Sequence, residues 1–231
     1  MQGHRMQSHS LGRMGLGRTG RQVISRFVTM TALVFGLVAG AQAASEPDEV
    51  IRDAVERMIE RIDAERARLQ QDAAYARRVV NEELDDLVDF RRITRLVMGD
   101  HFDNASNDQR RRFLEQFRNS LVQTYASGVT MYEGQTVRVL PLQDGDVRGN
   151  RARVQMELAT ESGRPMPITY TMFQDGEQWK VDNVIVNGLN LGRVYRLQFD
   201  QAVRQHPGDI DRVISGWSVE LDPEEISAQG N

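Results

Sequence analysis

The stretch that decides the fold runs from Arg151 to Val186 and reads RARVQMELATESGRPMPITYTMFQDGEQWKVDNVIV. Apolar and polar residues alternate along it with a period of two, the pattern of β-strands that bury one face. The turn pairs Ser162-Gly163 and Asp175-Gly176 divide it into three strands. Strands that are connected by such short links are antiparallel neighbours. A further alternating segment, Val137 to Val139, precedes it. We therefore predict a four-stranded antiparallel sheet with one apolar and one charged face.

Helical spacing of apolar residues flanks these strands on both sides. It runs from Ile51 to Ile62 before the sheet and from Val194 to Val203 after it. Ser106 and Gln109 have the spacing of a capping box, which predicts a helix from Asp108 to Ser127. Helices, then an antiparallel meander, then helices indicate an α+β fold.

The N-terminal segment has the features of a secretory signal peptide. Five arginines and no acid precede the apolar run Phe27 to Gly40, and the small residues of Ala41-Gln42-Ala43 follow it. The alternative is a membrane anchor, but a span needs about 20 residues and this run has 14. We predict a signal peptide at residues 1–43, an α+β domain at residues 44–217 and an acidic, disordered tail at residues 218–231.

Composition excludes several classes of function. All 33 acids but only 24 of the 29 basic residues follow Ala43, so the exported chain has a formal net charge of −9 and no basic excess for nucleic acid. There is no cysteine, and His101 and His206 have no partner at metal-ligand spacing, so we predict no metal and no cofactor. Of the 29 basic residues 28 are arginine, which is typical of a GC-rich bacterial genome. We expect the exported chain to reside in the periplasm.

The apolar residues of the sheet and of the capped helix allow two interpretations. Strand periodicity places Val154, Met156, Ile168, Tyr170 and Met172 on one face. Periodicity alone favours an ordinary core. A curved sheet wrapped by helices can also enclose an apolar pocket, and methionine adapts to varied apolar ligands. Sequence periodicity does not separate these two interpretations.

Three sequence blocks resemble a known family. They are Asp89 to Phe102 (DFRRITRLVMGDHF), Gln109 to Gly128 (QRRRFLEQFRNSLVQTYASG) and Trp179 to Phe199 (WKVDNVIVNGLNLGRVYRLQF). Together they resemble the MlaC family, also called the toluene-tolerance auxiliary family, which consists of periplasmic phospholipid-binding proteins that serve an ABC transport system. The resemblance extends from about Val50 to Trp217.

The resemblance implies an NTF2-like sheet wrapped by helices around a cavity for acyl chains. It further implies a non-enzymatic carrier that exchanges phospholipid with an outer-membrane lipoprotein complex and an inner-membrane MCE-type ABC transporter. Two rival functions are an NTF2-like periplasmic enzyme, which would need a polar pair inside the pocket, and a structural envelope adapter.

The residues expected to contact lipid are apolar or aromatic positions from the helices and the sheet: Val97, Phe113, Phe117, Leu121, Tyr125, Val154, Met156, Ile168, Tyr170, Met172, Trp179, Val184, Tyr195 and Phe199. Arg92, Arg95 and Arg196 are expected at the pocket mouth, where they would steer docking and contact the lipid phosphate. The alternative for these arginines is an ordinary solvated surface.

Overall fold

The computed structural model describes residues 45–160 and 163–219, which contain seven helices and six strands. Five helices precede the sheet: α1 (Pro47–Gln71), α2 (Ala73–Leu87), α3 (Phe90–Met98), α4 (His101–Asn104) and α5 (Asn107–Thr130). Two follow it: α6 (Leu191–Gln205) and α7 (Ile210–Gly216). The predicted signal peptide and residues 220–231 of the predicted tail lie outside the described residues. Within the described ranges, no helix combines the length and apolarity needed to span a membrane.

Local sequence signals explain where these helices begin and end. Ser106 Oγ accepts a hydrogen bond from the Gln109 backbone N–H at 3.2 Å, and Gln109 Oε1 accepts one from the Ser106 N–H at 2.9 Å. This reciprocal pair confirms the predicted capping box and begins α5. Gly99, with φ at +53°, ends α3 in a conformation that favours glycine.

The strands form one sheet in which every pair of named strands is antiparallel. They are β1 (Val137–Val139), β2 (Val147–Arg148), β3 (Arg151–Leu158), β4 (Met166–Asp175), β5 (Gln178–Val186) and β6 (Leu189–Asn190). The order is β1-β3-β4-β5-β6, with β2 also paired to β3. The predicted α+β fold class is confirmed, and the two strands that the sequence pattern did not predict have only two residues each.

A bulge interrupts the ladder between β4 and β5. Met172 pairs with Val181 and Thr171 pairs with Asn183, which leaves Asp182 as the extra residue. Because cross-strand partners share a face, Met172 and Val181 lie on the same inner face of the sheet as Tyr170 and its partner Val184. The bulge therefore keeps apolar residues pointing inward on both of its sides.

Three clusters of buried residues form the core. The largest joins α3, α5, α6 and α7 through aromatic side chains that include Phe113, Phe117, Tyr195, Phe199 and Trp217. A second joins α1, α2 and α5 around Leu69 and Val79. The third packs Ile51 of α1 against one end of the inner face of the sheet, at Ala152, Val154, Met172, Trp179 and Val181. The helices therefore cover the inner face, while the outward residues of β3 are exposed.

Candidate functional site

An apolar cavity of about 60 Å³ lies between α5, α6, α3 and strand β5. Most of its lining side chains are aliphatic or aromatic: Leu84, Val88, Phe90, Ile93, Phe117, Leu121, Tyr125, Val181, Asp182, Asn183, Val184, Leu191, Gly192 and Tyr195. Ligand sites for drug-sized molecules usually have volumes of ~300–1,000 Å³. The cavity is therefore smaller than such sites usually are.

Helical geometry places three of these side chains in a row. Phe117, Leu121 and Tyr125 follow one another at four-residue intervals along α5, so they share one face of that helix. Tyr195 from α6 packs against Phe117, with the ring centroids 5.7 Å apart and the planes at 77°. Val184 of β5 supplies the sheet side of the cavity.

Tyr125 lines the cavity without being buried. The residue is 41% exposed. Leu121, one helical turn earlier, is half-buried. The row on α5 therefore becomes more exposed from Phe117 to Tyr125.

Two further tyrosine hydroxyls lie near Tyr125. Burial raises the pKa of Tyr170 and of Tyr195, and the proximity of Tyr125 adds to the increase in both cases. The Tyr170 hydroxyl donates to Met156 Sδ at 3.8 Å, and sulfur is a weak acceptor. The Tyr195 hydroxyl is buried and has no hydrogen-bond partner among the described residues. An unpaired buried hydroxyl costs about 1–3 kcal/mol of stability.

A buried carboxylate ties helix α3 to the sheet beside the cavity. Asp182, the bulge residue, accepts hydrogen bonds from Arg92 Nε at 2.8 Å and from Thr171 Oγ1 at 2.9 Å, and it forms an ion pair with Arg151. The Arg92 guanidinium also stacks over the Phe173 ring, 4.1 Å from its centroid. These contacts satisfy a carboxylate whose residue is 3% exposed.

The structure distributes the predicted lipid-contact residues among four places. Those that line the cavity are Phe117, Leu121, Tyr125, Val184 and Tyr195. Those packed in the helical core are Val97, Phe113 and Phe199. Those in the cluster that packs against α1 are Val154, Met172 and Trp179. The remaining three, Met156, Ile168 and Tyr170, follow the same face of the sheet outside the cavity lining.

The three predicted mouth arginines are in different environments. Arg92 is engaged by the buried Asp182, so its principal contacts are structural. Arg95 forms an exposed pair with Asp103 at 3.5 Å. Arg196 lies over Gly99 and pairs with the exposed Asp100 at 3.4 Å. Exposed pairs of this kind contribute little to stability, which leaves Arg95 and Arg196 available for other contacts.

Several lining residues were absent from the sequence-based prediction. Leu84, Val88 and Ile93 fit helical periodicity, but periodicity does not distinguish a cavity wall from a packed core. Gly192 lines the cavity where its N–H donates to Asn183 Oδ1 at 2.9 Å, and an added Cβ would lie 2.6 Å from that oxygen. No sequence signal reveals this close approach of α6 to β5.

The other recesses of the described surface are of a different kind. One of them, about 400 Å³, is lined by side chains that include the charged Asp53, Arg57, Asp86 and Lys180. Its polarity makes it unsuitable for an apolar ligand. Within residues 45–160 and 163–219, no group of three or more His, Asp or Glu side chains is placed to hold a metal ion.

Known proteins match most of the chain. Residues 52–219 match the family model described as MlaC protein. The toluene tolerance protein ttg2D of Pseudomonas putida is 32% identical over 180 residues, which cover 78% of this chain and 83% of that protein. The intermembrane phospholipid transport system binding protein MlaC of Haemophilus influenzae is 23% identical over 168 residues, covering 71% of this chain and 78% of that protein.

A solved structure shares the architecture. It is a phospholipid-binding protein from Ralstonia solanacearum in complex with a phospholipid, and it matches with a TM-score of 0.67. The match covers 80% of this chain and 97% of that chain at 19% sequence identity. At this identity the likeness shows a common fold, in which helices wrap one face of an open antiparallel sheet.

Proposed function

Because the chain belongs to the MlaC protein family, we propose that it is a periplasmic phospholipid carrier of an ABC-type lipid transport system. The observation that carries this proposal is the apolar cavity between α5, α6 and β5, which lies within the residues that match the family. Named relatives support it, since one is an intermembrane phospholipid transport system binding protein.

Physical chemistry explains why such a transport system needs a carrier. Each buried methylene contributes ~0.8 kcal/mol, so exposing one sixteen-carbon tail to water costs on the order of 13 kcal/mol. A two-tailed lipid therefore cannot cross an aqueous compartment at a useful rate. A carrier that buries the tails as well as a bilayer does makes transfer nearly isoenergetic, and direction then comes from its partners.

The tails would enter along the row on α5. We assign Leu121 and Tyr125 to the entrance, because neither is fully buried. The cavity of about 60 Å³ is the closed form of the site. Loading requires α5 and α6 to separate from β5, which is a rearrangement of packed helices and not of the sheet.

Export and docking complete the proposal. The segment 1–43 would act as a signal peptide, and the domain 44–217 would carry lipid between an outer-membrane lipoprotein complex and an inner-membrane MCE-type transporter. A formal net charge of −9 over residues 44–231 disfavours adhesion to anionic bilayers, so we expect exchange while docked on a protein. Arg95 and Arg196 are the arginines proposed for that contact.

Lipid extraction from the purified protein tests the carrier function directly. The chain is purified from the periplasm and extracted with organic solvent, and bound lipid is identified by mass spectrometry. We expect diacyl phospholipid in near-stoichiometric amount. Delipidated protein should also take fluorescent phospholipid from vesicles. Protein that carries no lipid and takes none from vesicles would contradict the proposal.

A matched pair of variants links the lipid to the cavity. Leu121→Trp fills the recess beside Tyr125, so it should lower lipid content several-fold while the protein stays folded. Met131→Trp adds the same side chain at the end of the same helix, at a position that is 73% exposed and outside the cavity. Equal lipid content in the two variants would remove this cavity from the carrier mechanism.

A further inference from the structure

The cavity contains polar atoms that packing alone does not explain. Tyr195 is 3% exposed, lines the cavity, and has a hydroxyl without a hydrogen-bond partner among the described residues. A buried phenol usually finds a partner, because leaving its O–H unpaired is costly. Phenylalanine would fill the same space without that cost. The hydroxyl therefore points to a ligand that supplies an acceptor.

A second phenol lines the same recess. Tyr125 is part of the cavity lining, as Tyr195 is. Tyr170 lies on the same inner face of the sheet but outside that lining, and its hydroxyl donates weakly to Met156 Sδ at 3.8 Å. Two phenols, one on α5 and one on α6, therefore line one apolar recess.

The charge of the recess defines which acceptor fits. None of the described residues that line the cavity is basic, and its one carboxylate, Asp182, is already engaged by Arg92, Arg151 and Thr171. A phosphate group has no cation to pair with there. A tyrosine hydroxyl has a pKa of about 10 even in water, so these phenols are neutral donors at neutral pH. Neutral donors in an apolar recess match a neutral carbonyl oxygen.

We propose that the phenols of Tyr195 and Tyr125 bind the ester carbonyl oxygens of a diacyl glycerolipid, so that the site selects ester-linked over ether-linked lipids. This proposal rests on the carrier function above and names the part of the lipid that is recognised. The two carbonyls are the acceptors next to the tails, at the level where buried chains meet the headgroup. The headgroup itself stays outside and is not selected.

Competition between two lipids that differ only in the ester carbonyls tests the proposal. Delipidated protein is incubated with vesicles containing equal amounts of diester and diether phosphatidylglycerol of the same chain length, and bound lipid is quantified by mass spectrometry. One neutral hydrogen bond corresponds to about two- to tenfold in affinity. We expect wild-type protein to enrich the diester lipid by at least that factor, and phosphatidylethanolamine pairs to give the same ratio.

Phenylalanine variants assign the preference to the phenols. Tyr195→Phe should reduce the enrichment, and Tyr125→Phe/Tyr195→Phe should bring it close to the vesicle ratio. Tyr132→Phe is the control, because its hydroxyl donates to Gln135 O away from the cavity. This control should keep the full enrichment.

The outcomes separate ester recognition from the carrier function. Equal uptake of diester and diether lipid by wild type overturns ester recognition, although lipid uptake itself then still supports the carrier. Enrichment that persists in the double variant also overturns it, since the carbonyls would be bound elsewhere. Failure of wild type to take either lipid would overturn both proposals.

Discussion

The two ends of the inner face of the sheet have the same sequence pattern and different burial. At one end, Ala152 and its cross-strand partner Met172 are 3% and 0% exposed. At the other end, Tyr170 and Val184 pair in the same way and are only half-buried. Alternation produces both ends, so it does not determine whether the face is packed or hollow.

The covering helices make the difference. Ile51 of α1, which is 1% exposed, fills the packed end. At the hollow end α5 presents Leu121 and Tyr125, which stop short of filling the space above Val184. The bulge at Asp182 lies between the two ends. A site for apolar ligands therefore arises where a covering helix does not fill the face of the sheet.

Truncation to alanine should show the largest difference in stability between the two ends. Met172→Ala removes a fully buried side chain and leaves a new cavity, so we expect a loss of about 2–5 kcal/mol in the free energy of unfolding. Leu121→Ala enlarges a recess that already exists, and we expect a loss of about 1 kcal/mol. Urea unfolding measures both values. Equal losses would mean that the two ends are packed alike.

The ion pair between Arg92 and Asp182, which lies between the two ends, can be removed by substitution. Arg92→Met leaves the buried Asp182 with Arg151 and Thr171, so it should lower the free energy of unfolding by about 1–3 kcal/mol. Arg196→Met removes an exposed pair and should change it by less than about 0.5 kcal/mol. Adding Asp182→Asn to Arg92→Met should recover part of the loss. If the two single variants cost the same, Asp182 does not anchor α3.

A change to alkaline pH should have the smallest effect on stability, and it tests the hollow end through a single side chain, Tyr195. Burial raises the pKa of Tyr195, whereas in the unfolded chain the hydroxyl titrates near its ordinary value of about 10. Below that pH both states hold the proton, and above it the unfolded chain loses it first, so folding stability falls as pH rises.

From about pH 10 to 11, wild type should lose about 1 kcal/mol more than Tyr195→Phe. Urea unfolding at constant ionic strength measures this difference, and the comparison with the phenylalanine variant cancels the other alkaline titrations. Parallel pH profiles for the two proteins would show that the Tyr195 hydroxyl is not held neutral by burial.

Local sequence patterns predicted several features of the fold, but they did not predict which residues line the cavity. The capping box at Ser106 and Gln109, the helix end at Gly99 and the four longer strands were predicted from local patterns, and the structure confirms them. The family was identified from three sequence blocks, and the match over residues 52–219 confirms it. The assignment of individual lipid contacts remains a prediction, because Met172 and Tyr170 have the same pattern and different burial.

The sequence by itself determined the α+β class, the antiparallel order of the longer strands and the family, because capping, periodicity and motif order are properties of neighbouring residues. The tertiary structure alone decided that Leu121, Tyr125 and Tyr195 surround a recess while Met172 lies in packed core. It also decided that Arg92 pairs with Asp182, 90 residues away. Cavities and buried ion pairs depend on how far one element stands from another, and that distance is set by contacts between residues remote in the chain.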